Sequence, residues 1–219
     1  MYFKKFIYFI YLSIIISISL VAIYRYVNPL FTPLMILRLF EGEGISKSWI
    51  SYDEMSKNFP KAFIGGEDGR FMRHNGIDWR AVKAAQRYNS RQKPGGKMRG
   101  ASTITMQTAK NTFLWNGRNY LRKGLEVYFT ILIEQIWGKK RIIEVYCNIV
   151  EMGPGIYGVE AASQSYFGKS CVDANKTQAS LIGAVLPNPR RWSPAKPTNY
   201  ILRRAAWIRG RMGVAVPKE

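Results

Sequence analysis

Cysteine and histidine are nearly absent from this chain, and acidic residues are scarce. Its 219 residues include two cysteines, Cys147 and Cys171, and one histidine, His74. The cysteines fit no metal-ligand spacing. Cys147 sits in an apolar periodic stretch and Cys171 in a Ser/Asp-containing connector, so both read as free thiols. A single histidine excludes His-rich metal sites and weighs against a Ser-His-Asp hydrolase. No internal repeat or long low-complexity linker divides the chain, and its length suffices to bury a core without disulfide or metal staples. Only 14 Asp and Glu face 33 Lys and Arg, a formal charge of +19. That excess implies an anionic partner: nucleic acid, an anionic membrane surface or a phosphorylated substrate.

Long hydrophobic runs are equally rare. The one present, Phe6 to Tyr24, is uncharged throughout. At ~1.5 Å per residue it nearly spans the ~30 Å hydrocarbon core as a helix. Lys4 and Lys5 precede it, which predicts a cytoplasmic N-terminal tail and an external C-terminal portion. A cleaved signal peptide would have an apolar region of ~7–15 residues ending in a small-x-small site. This run is longer and no such site follows, so it reads as an uncleaved anchor. Arg38 interrupts the apolar Leu30–Phe40 stretch, which is suited to lie against a membrane surface rather than cross it.

Beyond the anchor the signals are helical and strand signals are weak. Helices are predicted over Phe59–Asp68 and over Asp78–Tyr88, the latter with Asp78 as N-cap. Asn89–Gly100 (NSRQKPGGKMRG) reads as a basic loop. Ser102 is expected to cap a helix running from Thr103 to Trp115. A long helix over Tyr120–Trp137 ends at Gly138, and another covers Lys140–Val150. Gly153, Gly155 and Gly158 mark a turn before a helix over Val159–Tyr166. Leu186-Pro-Asn-Pro189 breaks the chain, and a basic amphipathic stretch, Tyr200–Met212, closes it.

Three constellations carry chemistry. The first runs from Glu67 to Asp78 and holds adjacent carboxylates, an aromatic and the only histidine. Adjacent carboxylates destabilise each other's charged forms, which suits one of them to general-base work; an ordinary surface turn capped by Asp78 has the same composition. The second, Gly100 to Asn111, places Thr103, Gln107 and Lys110 on one helical face, a stripe able to hold a sugar diphosphate beside a helix N-terminus. Its plain alternative is a capped helix with a solvated polar face. In the third, Arg118, Arg122 and Lys123 present cations suited to phosphate oxygens. Glu126 lies four residues after Arg122, the spacing also of an everyday helix salt bridge.

In this order, behind an anchor, these blocks resemble the family 51 glycosyltransferases. These are peptidoglycan polymerases that occur in class A penicillin-binding proteins and as stand-alone monofunctional enzymes. The pattern E-D-x-x-F-x-x-H-x-G-x-D stands intact from Glu67 to Asp78, and G-x-S-T-I-T-Q-Q-x-x-K-N is represented from Gly100 to Asn111. R-K-x-x-E is Arg122 to Glu126, and R-I-x-E-x-Y-x-N followed by a glycine block and Y-F-G-K runs from Arg141 to Lys169; L-P-N-P is Leu186–Pro189. Met106 replaces the first Gln of the usual pair, off the Thr103–Gln107–Lys110 face, and Cys147 stands where an apolar residue is usual. No transpeptidase domain is expected in 219 residues, so the stand-alone type is the closer match.

The resemblance implies a mainly α-helical fold: one transmembrane helix and a lysozyme-like, two-lobed glycosyltransferase domain. The implied division is a cytoplasmic tail over 1–5, an anchor over 6–24, a membrane-proximal segment over 25–58, a catalytic domain over 59–212 and a tail over 213–219. It further implies inverting transfer from a lipid-diphosphate donor to lipid II in the bacterial inner membrane, with the catalytic domain periplasmic. Glu67 matches the general base and Glu126 a second essential glutamate. Asp68, Phe71, His74, Thr103, Gln107, Lys110, Asn111, Arg118, Arg122 and Lys123 match substrate-binding or positioning residues. A divalent cation, Mg or Mn, near the diphosphate and Glu126 is left open, as are protein partners in a cell-wall synthesis or division complex; nucleic acid is not implied. Two other classes are weighed. A lysozyme-like hydrolase also uses paired carboxylates but has no need of the fixed Lys/Arg set. A membrane-tethered basic binding protein has no need of carboxylates beside its cations.

Overall fold

The computed structural model describes residues 2–93, 95–96, 98–117 and 119–218. Arg118 lies outside the described residues. The chain is mainly α-helical. It opens with α1 (Tyr2–Tyr24) and α2 (Pro33–Phe40), then a two-residue strand β1 (Ser46–Lys47). Next come α3 (Asn58–Glu67), α4 (Trp79–Asn89), α5 (Ile104–Phe113), α6 (Tyr120–Ile136) and α7 (Gly138–Ile149). Strands β2 (Glu151–Gly153) and β3 (Ile156–Tyr157) precede α8 (Val159–Phe167), α9 (Lys176–Val185) and α10 (Asn199–Arg209).

Helix α1 is long and apolar enough to cross a membrane and is exposed except near its C-terminal end, where Val21 is buried. That end is docked. Its last carbonyls, which an isolated helix leaves without partners, accept from α7 and the residue preceding it. Trp137 Nε1 donates to Val21 O at 2.7 Å, and the Arg141 guanidinium donates to Tyr24 O and Val27 O at 3.0 Å. One turn deeper, Ser17 Oγ and Tyr128 OH are 2.7 Å apart. The short helix α2 is capped by Thr32 with Pro33 in its first turn. It buries Met35 and Arg38 while exposing Leu39 and Phe40.

Two groups of helices form the body. Helices α3, α9 and α10 pack together, as do α5, α6 and α7; the groups meet where α3 touches α7. Phe63 of α3 meets Tyr146 of α7 edge-on, with centroids 5.8 Å apart. The consecutive glycines ending α3 allow close packing: a Cβ on Gly65 would lie 2.7 Å from the Arg211 carbonyl. Helix α9 lies in a stretch where the sequence predicts no element, although Asn175 and Gln178 form a capping box at its start. Thr103, not Ser102, caps α5, its hydroxyl accepting from Met106 N; the helix stops at Phe113, short of Trp115. Met106 itself is buried. Both cysteines are buried and free.

The three strands make a small sheet in the order β1-β3-β2, parallel between β1 and β3 and antiparallel between β3 and β2. Gly155 holds φ +67, and a Cβ there would lie 2.4 Å from the Gly44 carbonyl. Gly155→Ala therefore combines left-handed strain with a backbone collision. We expect it to cost about 2–4 kcal/mol and to lower the thermal midpoint in detergent by roughly 4–12 °C. An unchanged midpoint would refute this account.

Candidate active site

The two adjacent carboxylates of the first constellation border one cleft but turn to different partners. Helix α3 ends at Glu67, and Asp68 leaves it at φ −152, ψ 68, which turns the side chains apart. Asp68 faces inward: both its oxygens lie 3.0 Å from His74 Nε2, and Oδ2 accepts from Ile104 N at 3.0 Å. This carboxylate thus ties the histidine to the N-terminus of α5, where a negative charge is favoured. Glu67 and Asp68 thus take separate partners.

Glu67 opens toward a cleft of about 270 Å³, lined also by Asp68, Arg70, Asp78, Ser102, Thr103 and Arg211. Gln107 Nε2 donates to Glu67 Oε2 at 3.3 Å, and Arg204 Nη2 pairs with Oε1 at 3.1 Å. Gln107 is itself oriented by Tyr146, whose hydroxyl donates to its Oε1 at 3.3 Å. Burial, and then the nearby Glu67 charge, push the Tyr146 phenol well above its ordinary pKa, so it remains a neutral donor. The carboxylate is thereby held without being sealed off.

One helical turn after Gln107 on α5 comes Lys110, half-buried. Burial lowers its pKa, against the opposing pull of Glu126. The Glu126 carboxylate is buried and takes two cations: Arg122 Nη1 at 2.7 Å and Lys123 Nζ at 2.6 Å. The Arg122–Glu126 pair is therefore not an everyday surface bridge. Arg122 Nε is buried without a partner. Lys123 Nζ also lies 3.5 Å from Ser102 Oγ, which links the cationic group to the cleft. The whole arrangement sets one carboxylate opposite a cationic cluster, along a single helix.

Not every expected residue faces the cleft. Phe71 is fully buried and meets the His74 ring edge-on, so it supports the imidazole rather than touching a substrate. Thr103 touches the cleft wall but is almost wholly buried, its hydroxyl donating to Gly76 O at 2.5 Å; as the cap of α5 it precedes the helical face that carries Gln107 and Lys110. Asn111 is buried, beside Lys110, Leu34 and Trp115 around a separate small cavity. Arg204, Tyr146 and Arg211 were not singled out by sequence. Tyr146 stands inside the block from Arg141 to Asn148, which offered a signal; Arg204 and Arg211 are two of several arginines in a basic stretch, which offered none.

A resident divalent cation fits this donor set poorly. Both Glu126 oxygens already face cations. No group of three or more His, Cys, Asp or Glu suited to a metal occurs among the described residues.

Comparison with known proteins agrees with the geometry. Residues 35–213 match the family described as Transglycosylase. The chain is 50% identical over 201 residues to the biosynthetic peptidoglycan transglycosylase of Rhodospirillum centenum, covering 91% of this chain and 86% of that protein. It is 50% identical over 208 residues to the protein so named from Bdellovibrio bacteriovorus, covering 92% of this chain and 82% of the relative. For that from Pseudomonas fluorescens the identity is 49% over 216 residues, covering 96% and 89%. With the match spanning both the carboxylate cleft and the cationic cluster, the chain belongs to the transglycosylase family.

Proposed function

We propose that this protein is a membrane-anchored peptidoglycan glycosyltransferase that polymerises lipid II into β-1,4-linked glycan strands. The observation that carries the reading is the placement of Glu67 and Lys110 by one helix, α5: Gln107 holds the carboxylate, and Lys110 adjoins the Arg122–Glu126–Lys123 group. Glu67 takes the proton of the acceptor's 4-hydroxyl. The freed oxygen bonds to the donor's anomeric carbon as the bond from that carbon to the lipid diphosphate breaks, and configuration inverts from α to β. Negative charge then grows on the departing diphosphate. Lys110, Arg122 and Lys123, together with Arg118 as the family resemblance assigns it, offset that charge, the electrostatic contribution that usually dominates. Glu126 holds Arg122 and Lys123 in place. Asp68, His74, Phe71, Thr103 and Asn111 position α5 and its neighbours.

Residues 6–24 are the anchor and 1–5 its cytoplasmic tail; 25–58 adjoin the membrane; 59–212 form the catalytic domain in the periplasm, followed by 213–219. A substrate confined to the inner membrane meets a tethered enzyme at high effective concentration. The exposed apolar residues of α2 and the basic surface hold the domain against anionic headgroups.

Incubation with purified lipid II tests this directly. Polymer cleavable by a β-1,4 muramidase supports it; no polymer, with fragments released from finished glycan instead, favours the lytic hydrolase. The lowered pKa of Lys110 sets a second expectation. A lysine titrating below its ordinary value is charged only at lower pH, so its cation is lost as pH rises through that lowered value. The alkaline limb of kcat/KM, which reports the free enzyme, is expected below the ordinary lysine range, and Lys110→Arg is expected to move it upward. An unmoved limb in that variant would assign the titration elsewhere.

A further inference from the structure

The Arg70–Asp78 pair, 3.4 Å apart, lines the catalytic cleft and also a second cavity of about 330 Å³. Arg73, His74, Asn75, Trp79 and Arg80 line the rest of that cavity's polar and aromatic wall. We propose that this second cavity binds a carboxylate-bearing peptide, namely the peptide carried by the acceptor saccharide whose hydroxyl reaches Glu67. The assignment rests on the glycosyltransferase reading above.

The walls select that chemistry. His74 is only 5% exposed in its side chain, and its Nδ1 is buried without a partner. Its other nitrogen faces both Asp68 oxygens. Nδ1 is therefore the one polar atom of the ring that no protein group satisfies. Arg73 and Arg80 are exposed and make no ion pair among the described residues. Guanidinium forks of this kind match carboxylate oxygens two at a time. Trp79, 65% exposed in the first turn of α4, offers a flat apolar face beside them. A peptide satisfies the whole set, since its amide offers both an N–H and a C=O to Nδ1 and its carboxylate suits the arginines. A lipid headgroup held in a bilayer plane would reach the exposed arginines but not the buried imidazole.

The test measures acceptor KM and kcat for wild type, Arg73→Gln/Arg80→Gln and Trp79→Ala. Two acceptors are used, lipid II with its native peptide and lipid II with its peptide carboxylates amidated, each in neutral micelles and in vesicles containing an anionic phospholipid. On the native acceptor the double variant is expected to raise KM about tenfold or more, the loss of the charge-assisted contacts of both arginines, with kcat within about twofold. Wild type is expected to show the same raised KM on the amidated acceptor, and the double variant no further increase. Trp79→Ala is expected to raise KM on the native acceptor too. Equal wild-type KM on both acceptors overturns the proposal, as does an equal loss on both in the variant. A loss confined to anionic vesicles overturns it in favour of a headgroup site. Thermal midpoints check folding, and the wild-type comparison of the two acceptors decides even if the double variant unfolds. Wild type that polymerises neither acceptor would instead strike at the glycosyltransferase reading.

Discussion

Glu67→Gln is expected to slow lipid II polymerisation by about 10²–10⁴-fold, the usual contribution of a positioned general base. The amide is close to isosteric and its site is half-open, so the thermal midpoint should move by no more than a few degrees. What changes is the ability to take a proton. The carboxylate now has Gln107 on one oxygen and Arg204 on the other, contacts that orient it toward the cleft. Arg204→Ala keeps the base and removes one of those contacts, so its loss should be smaller, with Arg204→Lys recovering part of it. Steady-state polymerisation with labelled lipid II, alongside thermal unfolding, separates the two effects. A Glu67→Gln enzyme working at the native rate would remove the basis of the mechanism.

The second large effect concerns Glu126. Its side chain is 4% exposed and bridges Arg122, also buried, to Lys123. Breaking a buried pair from one side leaves a charge without compensation, which costs about 3–5 kcal/mol. Glu126→Ala should therefore lower the thermal midpoint by roughly 10 °C and abolish polymerisation, because Arg122 and Lys123 lose the group that holds them. Replacing both partners, as Arg122→Met with Glu126→Leu, should restore much of the stability and none of the activity. Activity returning with stability would make the pair purely structural. Activity absent from a stable double variant assigns the pair to the diphosphate side of the reaction.

Much of this organisation was legible from the chain alone, because it rests on local patterns. A charge-free run from Phe6 to Tyr24 can be satisfied in a membrane only as a helix. Asp78 sits immediately before the apolar period of α4 and caps it, as its position predicts. The helices α6 and α7 follow from their periodicity, with Gly138 at φ +75 dividing them. Local reading failed where neighbours compete. Ser102 and Thr103 are equivalent as caps by sequence; burial of the Thr103 hydroxyl between Gly76 O and Met106 N decides between them. Helix α9 is short and rich in small residues, so its apolar face gives a weak period even though its cap is well formed.

The residue types of the proposed catalytic group, and their order along the chain, are therefore properties of the sequence: carboxylates, then a polar helical stripe, then clustered cations. Which of them meet is a property of the tertiary structure. Glu67 and Asp68 are neighbours in the chain but part at the end of α3, while Glu67 and Arg204 are far apart in sequence and pair because α3 and α10 pack closely. Covalent adjacency sets only backbone spacing; helix ends and the packing of distant helices set where charges point. The same reason explains why the orphaned His74 nitrogen and the arginines around it came to light only in three dimensions.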